Sequence, residues 1–368
     1  MVFFSEDRNG DCFSGVGVRL LIRVLVVGCL AQLGGCNQSA PAEPRREIVR
    51  FEGRTMGTTY GVRGWFRESS GTEGVDPDTL QQDVDRLLEE INSQMSTYLS
   101  NSELSRFNTA PADRWFSVSP ETAFVVDQAL KYHQESGGTL DVTIGPLLRL
   151  WGFGPQASER PQGLHPPDSE RLQAVLDRVG SRHLRVRTDP PALQKRVEGV
   201  EIDLSSLAKG YAVDRVVELL RRQGAEGVMV EIGGEVRTLG SRVDGLPWRI
   251  GIENPLAQGR QVFRVVPLRN VALATSGDYR HFQQFQGEIV CHLIDPRTGR
   301  PLPAQGASVT VCAASCLEAD ALATALFLMG ADRGVTWCEQ NEVAALFLTL
   351  EDGKVVEHLT PRFQQYVQ

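Results

Sequence analysis

Residues 201–220, EIDLSSLAKGYAVDRVVELL, contain the change of pattern on which the predicted fold depends. The first residues alternate apolar and charged side chains, as at the end of a strand, and the later ones place apolar residues at helical spacing. Ser205 and Ser206 are good N-cap residues, so we expect the helix to begin directly after them. A strand that runs into a helix in this way presents unpaired N–H groups to an anion, with Lys209 one turn in. An ordinary capped turn with a solvated lysine is the alternative interpretation.

The composition is that of an ordinary globular protein. The 368 residues are 41% hydrophobic and 23% charged, which is enough for one large domain or two modest ones. A net charge of −8 argues against non-specific binding of nucleic acid. The seven cysteines form no metal-ligand or disulfide pattern, so we expect those of the domain to be buried free thiols.

Residues 1–35 are predicted to be a lipoprotein signal peptide rather than part of the fold. Arg19 and Arg23 precede an apolar run that ends in LGGC at residues 33–36, which resembles a bacterial lipobox. Cys36 would be lipidated, and residues 36–47, rich in Pro, Ala and Glu, would form the lipidated N-terminus and tether. We therefore expect a lipid anchor in the bacterial cell membrane, facing the periplasm. A plain secretory signal followed by an incidental cysteine is the alternative.

Residues 48–368 are predicted to form one α+β domain of mixed helices and largely antiparallel strands. Helices are predicted at 80–95, 120–136, 168–179, 316–329 and 332–340. Strands are predicted at 50–63, 227–232, 248–252, 262–267, 271–275, 289–294, 307–313, 343–350 and 355–359. Segments 102–106 and 139–153 are interpreted as loops, and 155–167 is an insertion without a predicted role.

Asp320 and Thr324 lie four residues apart on a predicted helix whose other side chains are mostly apolar. This spacing puts a carboxylate and a hydroxyl on one face, one above the other. Two hard oxygen donors suit Mg²⁺, which completes its shell with water and phosphate. In the structural alternative, Asp320 caps a neighbouring element and Thr324 bonds to a carbonyl of its own helix.

His292 lies on a predicted strand that runs into the turn DPRTG at 295–299. Most single strand histidines are structural, but beside a metal and phosphates a histidine can act as a general base. The remaining histidines, His133, His165, His183, His281 and His358, are interpreted as surface residues. The sequence contains no nucleophile elbow, P-loop or Rossmann glycine motif.

Seven ordered motifs between residues 56 and 324 together resemble one family, the ApbE-type lipoproteins, which are FAD:protein FMN transferases. The motifs are MGTTY at 56–60, MSTY at 95–98 with SELSRFN at 102–108, DVTIGP at 141–146 with LWGFG at 150–154, DLSSLAKGYA at 203–212, ATSGDY at 274–279, HLIDP at 292–296 and EADALAT at 318–324.

The resemblance implies an α+β fold of two lobes, with FAD in the cleft between them and Mg²⁺ on its pyrophosphate. The flavin-contacting positions that it implies are Met56, Tyr98, Thr139, Leu140, Asp141, Asp203, Lys209 and Ile294. The implied metal ligands are Asp320, Thr324 and the backbone carbonyl of residue 206. A serine departs from the residues usual at position 206, which matters little if only the carbonyl binds.

The implied reaction transfers FMN from FAD to a Thr or Ser hydroxyl of an acceptor protein through a phosphoester bond and releases AMP. Mg²⁺ and Lys209 would neutralise charge on the pyrophosphate, and His292 would take the hydroxyl proton. The usual acceptors of the family are flavoprotein subunits of the NADH:quinone oxidoreductase and RNF-type complexes. An Mg-dependent FAD pyrophosphatase giving FMN and AMP, or a non-catalytic FAD-binding lipoprotein, are the alternatives.

Overall fold

A large antiparallel sheet is the backbone of the fold in the computed structural model, which describes residues 46–67, 75–155, 166–257, 259, 261–278, 282–285 and 288–367. The predicted signal peptide, Cys36 and residues 156–165 of the insertion lie outside these residues. The strands are β1 (Arg46–Thr55), β2 (Thr58–Arg67), β3 (Phe116–Ser117), β4 (Leu184–Thr188), β5 (Pro191–Lys195), β6 (Ala225–Ile232), β7 (Glu235–Leu239), β8 (Trp248–Glu253), β9 (Val262–Leu268), β10 (Ala272–Gly277), β11 (Phe282–Phe285), β12 (Glu288–Asp295), β13 (Arg300–Pro303), β14 (Ser308–Ala313), β15 (Ala344–Glu351) and β16 (Lys354–Leu359).

Eight of these strands form the large sheet, in the order β1-β2-β6-β7-β10-β14-β15-β16. Within the described residues, three smaller sheets have the orders β11-β12-β13, β3-β5-β4 and β8-β9. The paired strands are antiparallel throughout these sheets, so the predicted α+β class is confirmed.

The helices cover mainly one face of the large sheet. They are α1 (Pro77–Met95), α2 (Glu103–Thr109), α3 (Pro120–Glu135), α4 (Gly145–Trp151), α5 (Ser169–Leu176), α6 (Ala208–Arg222), α7 (Cys316–Met329) and α8 (Ala331–Gln340). Buried side chains of α1, α3, α6 and α7 share one core with Val62 and Val230 of the sheet. The opposite face packs against β8, β9 and a C-terminal turn through Trp248, Leu273 and Phe363.

Helix α7 lies at the centre of the core and has the predicted bounds. Twelve of its side chains are buried, because the helix is apolar on nearly every side and packs against α6, β10 and β14. Its N-cap is Ser315, whose hydroxyl accepts the N–H of Glu318. Asp320 and Thr324 are therefore polar side chains within a buried helix, which is where a functional interpretation is most informative.

The first predicted strand, 50–63, is in fact a hairpin. β1 and β2 pair in register from Arg46 opposite Arg67 to Thr55 opposite Thr58. The two residues between them, Met56 and Gly57, have φ of 48° and 70°. A two-residue turn with positive φ at both positions matches the twist of a hairpin, so the prediction of one continuous strand is wrong.

Two segments predicted as loops contain short helices. The first turn of α2 is capped by the Ser102 hydroxyl, and its residues Leu104 and Phe107 are buried. α4 begins with a glycine and a proline and ends before Gly152, which has φ of 77°. Proline at the start and glycine just after the end are helix signals that the loop interpretation overlooked.

The remaining differences concern short strands that the sequence did not predict: β3, β4, β5, β7, β11 and β13. Four cysteines in the described residues, Cys291, Cys312, Cys316 and Cys338, are buried free thiols, as predicted. None of the described helices has the length and apolar character needed to cross a membrane.

Candidate active site

A cavity of about 1250 Å³ opens between the start of α6, the end of α1 and the central helix α7. The turns β1–β2 and β6–β7, together with residues of β8, β10 and β12, complete its wall. Every site residue named from the sequence within the domain lines it: Met56, Tyr98, Thr139, Leu140, Asp141, Asp203, Ser206, Lys209, His292, Ile294, Asp320 and Thr324. The fold brings these residues together, and their individual roles stay predictions.

Helix α6 starts later than the two serines indicated. Its N-cap is Leu207, which makes no side-chain capping bond, and Ser205 and Ser206 lie in the preceding turn. The predicted serine caps are therefore wrong. The N–H of Gly210 in the first helical turn donates instead to Oδ2 of Asp320, at 3.0 Å. A carboxylate is favourable at the positive end of a helix, so Asp320 caps α6 while it also borders the cavity.

Gly210 makes this contact between α6 and α7 possible. A Cβ at this position would lie 2.8 Å from Cα of Leu317 and would also clash with the carbonyl of Cys316. Both neighbours are backbone atoms that cannot move aside without shifting α7. The absence of a side chain at Gly210 therefore sets the separation of the two helices that carry Lys209 and Asp320.

Lys209 points from the first turn of α6 to the residue that follows the β6–β7 turn. Its Nζ lies 2.5 Å from Oε1 of Glu235, whose side chain is only 4% exposed. A Cβ on Gly233 would lie 3.4 Å from the Lys209 stem and 2.8 Å from Thr58, and φ of Gly233 is 60°. The glycine turn thus packs directly against the lysine and holds Glu235 beneath it.

The ammonium group of Lys209 is close to two buried carboxylates, those of Glu235 and Asp320. Burial raises the pKa of Glu235 to about 7 despite the attraction of Lys209, and the charge of Asp320 adds to the rise. Burial likewise raises the pKa of Asp320, which Lys209 and the Gly210 N–H oppose. Burial acts to lower the pKa of Lys209, but Asp320 and Glu235 outweigh it, so its pKa is raised and it stays protonated.

The donor atoms around Asp320 fit a hard divalent cation. Asp320 is 4% and Thr324 is 8% exposed, and both line the cavity beside Ser206. Oε2 of Glu235 is buried without a hydrogen-bond partner among the described residues, so the cluster has an excess of acceptors. No three His, Cys, Asp or Glu side chains in the described ranges could hold a metal ion by themselves. A cation here would need water or phosphate oxygens as further ligands, which is the habit of Mg²⁺.

The hydroxyl of Thr324 has a partner outside its own helix. Its Oγ1 lies 3.0 Å from Oγ of Ser276, near the end of β10. The alternative in which Thr324 bonds only to its own helix is therefore not what the structure contains. Ser276 itself was not singled out from the sequence.

His292 approaches the same cavity from the small sheet. It lies on β12, is half-buried and lines the wall together with Leu293 and Ile294. Ile294 is 1% exposed and packs with Leu147 and Trp151 in a small core of its own, which fixes the end of the strand. The predicted general base and the predicted metal ligands thus face one space.

Met56 and Tyr98 lie in unusual environments, and we call the part of the cavity that they line the outer wall. Met56 has a positive φ although it is not glycine, a strained conformation that is frequent at functional sites. Tyr98 lies on the loop after α1 and is 72% exposed, and its neighbour Leu99 is 44% exposed. Both are lining residues of the cavity, so a large apolar surface is available to a planar ligand.

The segment 139–141 lines the cavity but turns its polar side chains into the protein. The Asp141 carboxylate accepts hydrogen bonds from the N–H and hydroxyl groups of Thr143 and Ser181. Nδ1 of His133 lies 2.8 Å from the Leu140 carbonyl and 3.4 Å from Asp141 Oδ2. The interpretation of His133 as a surface residue is therefore wrong, because it supports this part of the wall.

Two residues that were not predicted as functional hold the segment leading to α6. Asn108 donates to the carbonyl of Ile202 and accepts its N–H, both at 2.8 Å. The fully buried Lys195 donates to the Asn108 carbonyl at 2.8 Å. Asp203 follows directly, and its Oδ1 accepts the N–H of Ser205 at 2.9 Å. In place of the predicted strand end, the described residues contain a single isolated bridge between Glu201 and Ile144.

Glu235 is a further residue that the sequence analysis missed. It follows Gly233-Gly234 directly after the apolar strand β6, a position where a turn re-aims the next side chain. That glycine pair was a usable signal, but the partner of Glu235 lies 26 residues away and could not be inferred from spacing.

Comparison with known proteins identifies a related group. The sequence model of the ApbE family matches residues 56–347. A Vibrio cholerae protein named FAD:protein FMN transferase is 42% identical over 344 residues, which cover 94% of this chain and 98% of the relative. The Escherichia coli K12 protein of the same name is 31% identical over 349 residues, covering 94% and 97%.

Solved structures agree with the sequence comparison. The flavin transferase ApbE from Vibrio cholerae superposes with a TM-score of 0.77, covering 88% of this chain and 100% of the other at 42% identity. The apo form of the flavinyl transferase ApbE from Pseudomonas stutzeri also gives a TM-score of 0.77, covering 88% and 97% at 35% identity.

Proposed function

Because this chain belongs to the ApbE family, we propose that it transfers FMN from FAD to a Thr or Ser hydroxyl of an acceptor protein. The observation that carries the proposal is the cavity of about 1250 Å³. It gathers Lys209, Asp320, Thr324 and His292 beside a wall that can accept a flavin. FAD is the substrate, and the enzyme is a transferase.

Charge determines where the pyrophosphate of FAD would lie. Carboxylates line the cavity from several sides, and Lys209 is the only Lys or Arg among its described lining residues. A doubly charged pyrophosphate would be repelled by Asp320 and Glu235 unless a further cation shared the site. Mg²⁺ held by Asp320, Thr324 and the carbonyl of Ser206 would supply that neutralisation and polarise the phosphate oxygens.

The chain's own residues account for the other requirements of the reaction. Lys209, fixed by Glu235, stays protonated and stabilises negative charge on the phosphate oxygens. The acceptor hydroxyl oxygen forms a bond to the FMN-side phosphorus, and the bond from this phosphorus to the bridging oxygen breaks. AMP leaves with that oxygen. His292 would take the proton of the attacking hydroxyl, since it lines the same cavity.

The flavin ring would lie against the outer wall. Met56 and Tyr98 provide apolar surface, and the backbone of 139–141 together with Asp203 and Ile294 closes the remaining sides. Because the Asp141 carboxylate is used within the fold, a contact from residue 141 to the flavin would come from its backbone.

The proposed acceptor is taken from the resemblance to the ApbE family, and the proposed location from the N-terminal sequence. We propose that the acceptors are flavoprotein subunits of the NADH:quinone oxidoreductase or RNF-type complexes. The LGGC sequence at 33–36 supports lipidation of Cys36 and attachment to the bacterial membrane on the periplasmic side. The enzyme and its acceptor would then meet at one membrane surface.

Product analysis tests the proposal against its two alternatives. The mature protein is incubated with FAD, Mg²⁺ and the flavoprotein subunit, and flavins and AMP are separated by chromatography. We expect AMP together with flavin bound covalently to the subunit. Free FMN with AMP and an unmodified subunit would instead indicate a pyrophosphatase, and intact FAD would indicate a protein that only binds the dinucleotide.

A further inference from the structure

Two hydroxyl groups meet at the floor of the cavity, one from the large sheet and one from α7. Ser276 Oγ lies 3.0 Å from Thr324 Oγ1, and both residues line the cavity. Alternate residues of β10 show that this approach is built into the sheet. Ala272 and Ala274 belong to the core beneath α7, and Leu273 belongs to the core on the other face. Ser276 is in phase with the two alanines and so faces α7.

The contact decides where the Thr324 proton points. A threonine hydroxyl in a helix ordinarily donates to a carbonyl one turn earlier. A neutral hydroxyl that binds a cation uses an oxygen lone pair, so its proton must go to another acceptor. Oγ of Ser276 is such an acceptor and lies outside the helix. If Thr324 donates to it, the Thr324 lone pairs are left for a cation beside Asp320.

We propose that Ser276 is a positioning residue for the cation and phosphate site. It accepts the Thr324 hydroxyl proton, which turns the Thr324 oxygen towards a divalent cation. It then donates its own proton into the cavity, to an anionic oxygen of the bound nucleotide. The identity of the nucleotide rests on the proposed function, whereas the orientation of Thr324 rests on the contact itself.

The adjacent residue offers a matched control. Thr275 pairs directly with Thr310 of β14, and their hydroxyl oxygens are 2.9 Å apart. The oxygen–oxygen distance is nearly that of the Ser276–Thr324 pair, and both pairs involve β10. Thr310 is 1% exposed and is not among the residues that line the cavity. Thr310→Val therefore removes a comparable hydrogen bond at a residue outside the cavity wall and leaves Ser276 and Thr324 unchanged, while its partner Thr275 lines the cavity.

The test measures cation binding separately from catalysis. Mn²⁺, a paramagnetic substitute for Mg²⁺, is titrated by electron paramagnetic resonance into the mature protein and into Ser276→Ala, Ser276→Thr and Thr310→Val. Loss of a residue that orients a metal ligand typically weakens metal affinity about 10-fold or more, so we expect this for Ser276→Ala. Ser276→Thr keeps the hydroxyl and should bind Mn²⁺ nearly as the wild type does.

Thr310→Val should bind Mn²⁺ like the wild type even where its melting temperature falls as far as that of Ser276→Ala. The proposal is overturned if Ser276→Ala binds Mn²⁺ with wild-type affinity and only melts earlier, or if the wild type binds no Mn²⁺. Failure of the proposed function has a different signature. Suppose that the wild type binds Mn²⁺, that Mg²⁺ displaces the Mn²⁺, and that no acceptor is modified. This result would refute FMN transfer and leave the role of Ser276 intact.

Discussion

The Asp320 carboxylate accepts the N–H of Gly210 and also lines the cavity. Substitutions at Asp320 can therefore change both the stability of the fold and the affinity for a cation. Asp320→Asn keeps an oxygen that can accept the Gly210 N–H but removes the negative charge. We expect its free energy of unfolding to stay within about 1 kcal/mol of the wild-type value. Its affinity for Mn²⁺ or Mg²⁺ should fall at least about 10-fold, because a charged ligand is lost.

Asp320→Ala should lose both contacts. Leaving the buried Gly210 N–H without an acceptor costs about 1–3 kcal/mol, so this variant should also melt earlier. Thermal melting and metal titration on the two variants separate the structural role of the carboxylate from its role in the site. Normal metal dependence in Asp320→Asn would exclude the residue from the cation site. Thr324→Ala should weaken metal binding at least as much as Ser276→Ala, since the ligand itself is lost, but less than Asp320→Asn, since that ligand is neutral and not charged.

Glu235 makes stability depend on pH. Its pKa is raised by burial from an ordinary 4.5 to about 7, so the folded protein binds more protons than the unfolded chain between these values. The stability that this group contributes is therefore complete at low pH and is lost as pH rises through about 7. In Glu235→Gln this dependence should disappear. We measure the difference in melting temperature, wild type minus Glu235→Gln, in metal-free buffer. This difference should decrease between about pH 5 and about pH 8. Parallel curves over this range would contradict the protonation of Glu235.

At the level of elements, the separation of α6 and α7 is the critical dimension of the site. In Gly210→Ala the new methyl group meets the backbone at Cys316 and Leu317, so the helices must move apart. We expect a loss of about 1–3 kcal/mol in the free energy of unfolding and weaker metal binding, since the Asp320 bond to residue 210 is stretched. Gly61→Ala on β2 is the control, because a methyl there meets no heavy atom within 4 Å. Equal stability of the two variants in chemical denaturation would show that the close approach is unimportant.

The elements that could be predicted are those whose pattern is local. α7 was predicted with its observed bounds because its apolar run is long and follows Ser315, and its period placed Asp320 and Thr324 on one face. The hairpin at Met56 was missed, since positive φ at a non-glycine residue has no strong sequence signal. The serine caps of α6 failed for a related reason: the capping group comes from Asp320, 110 residues later in the chain.

The site divides in the same way. Residues inside recognisable motifs, such as Lys209 and His292, could be assigned to one site before their positions were known. Their supports could not, because Glu235, Ser276 and Asn108 act through pairings between distant segments. Such contacts depend on which strands and helices are neighbours, and single-sequence periodicity does not contain that information.

For the whole molecule, the N-terminal sequence predicts attachment to the membrane through Cys36. Cys36→Ser should move the protein from the membrane fraction to the soluble fraction, because bacterial lipoproteins are held by several acyl chains and the variant would have none. Cell fractionation with an antibody to the domain measures this. Retention of Cys36→Ser in the membrane at wild-type levels would show that the anchor lies elsewhere.

We propose that the cavity passes FMN to a protein and not to water. Intact-mass spectrometry of the flavoprotein subunit, after incubation with this protein, FAD and Mg²⁺, measures that directly. We expect the subunit to gain the mass of one FMN less one water, in step with AMP release, and a subunit whose acceptor threonine is replaced by valine to gain nothing. A subunit of unchanged mass, in a mixture where FAD has been consumed, would contradict the transfer of FMN to a protein.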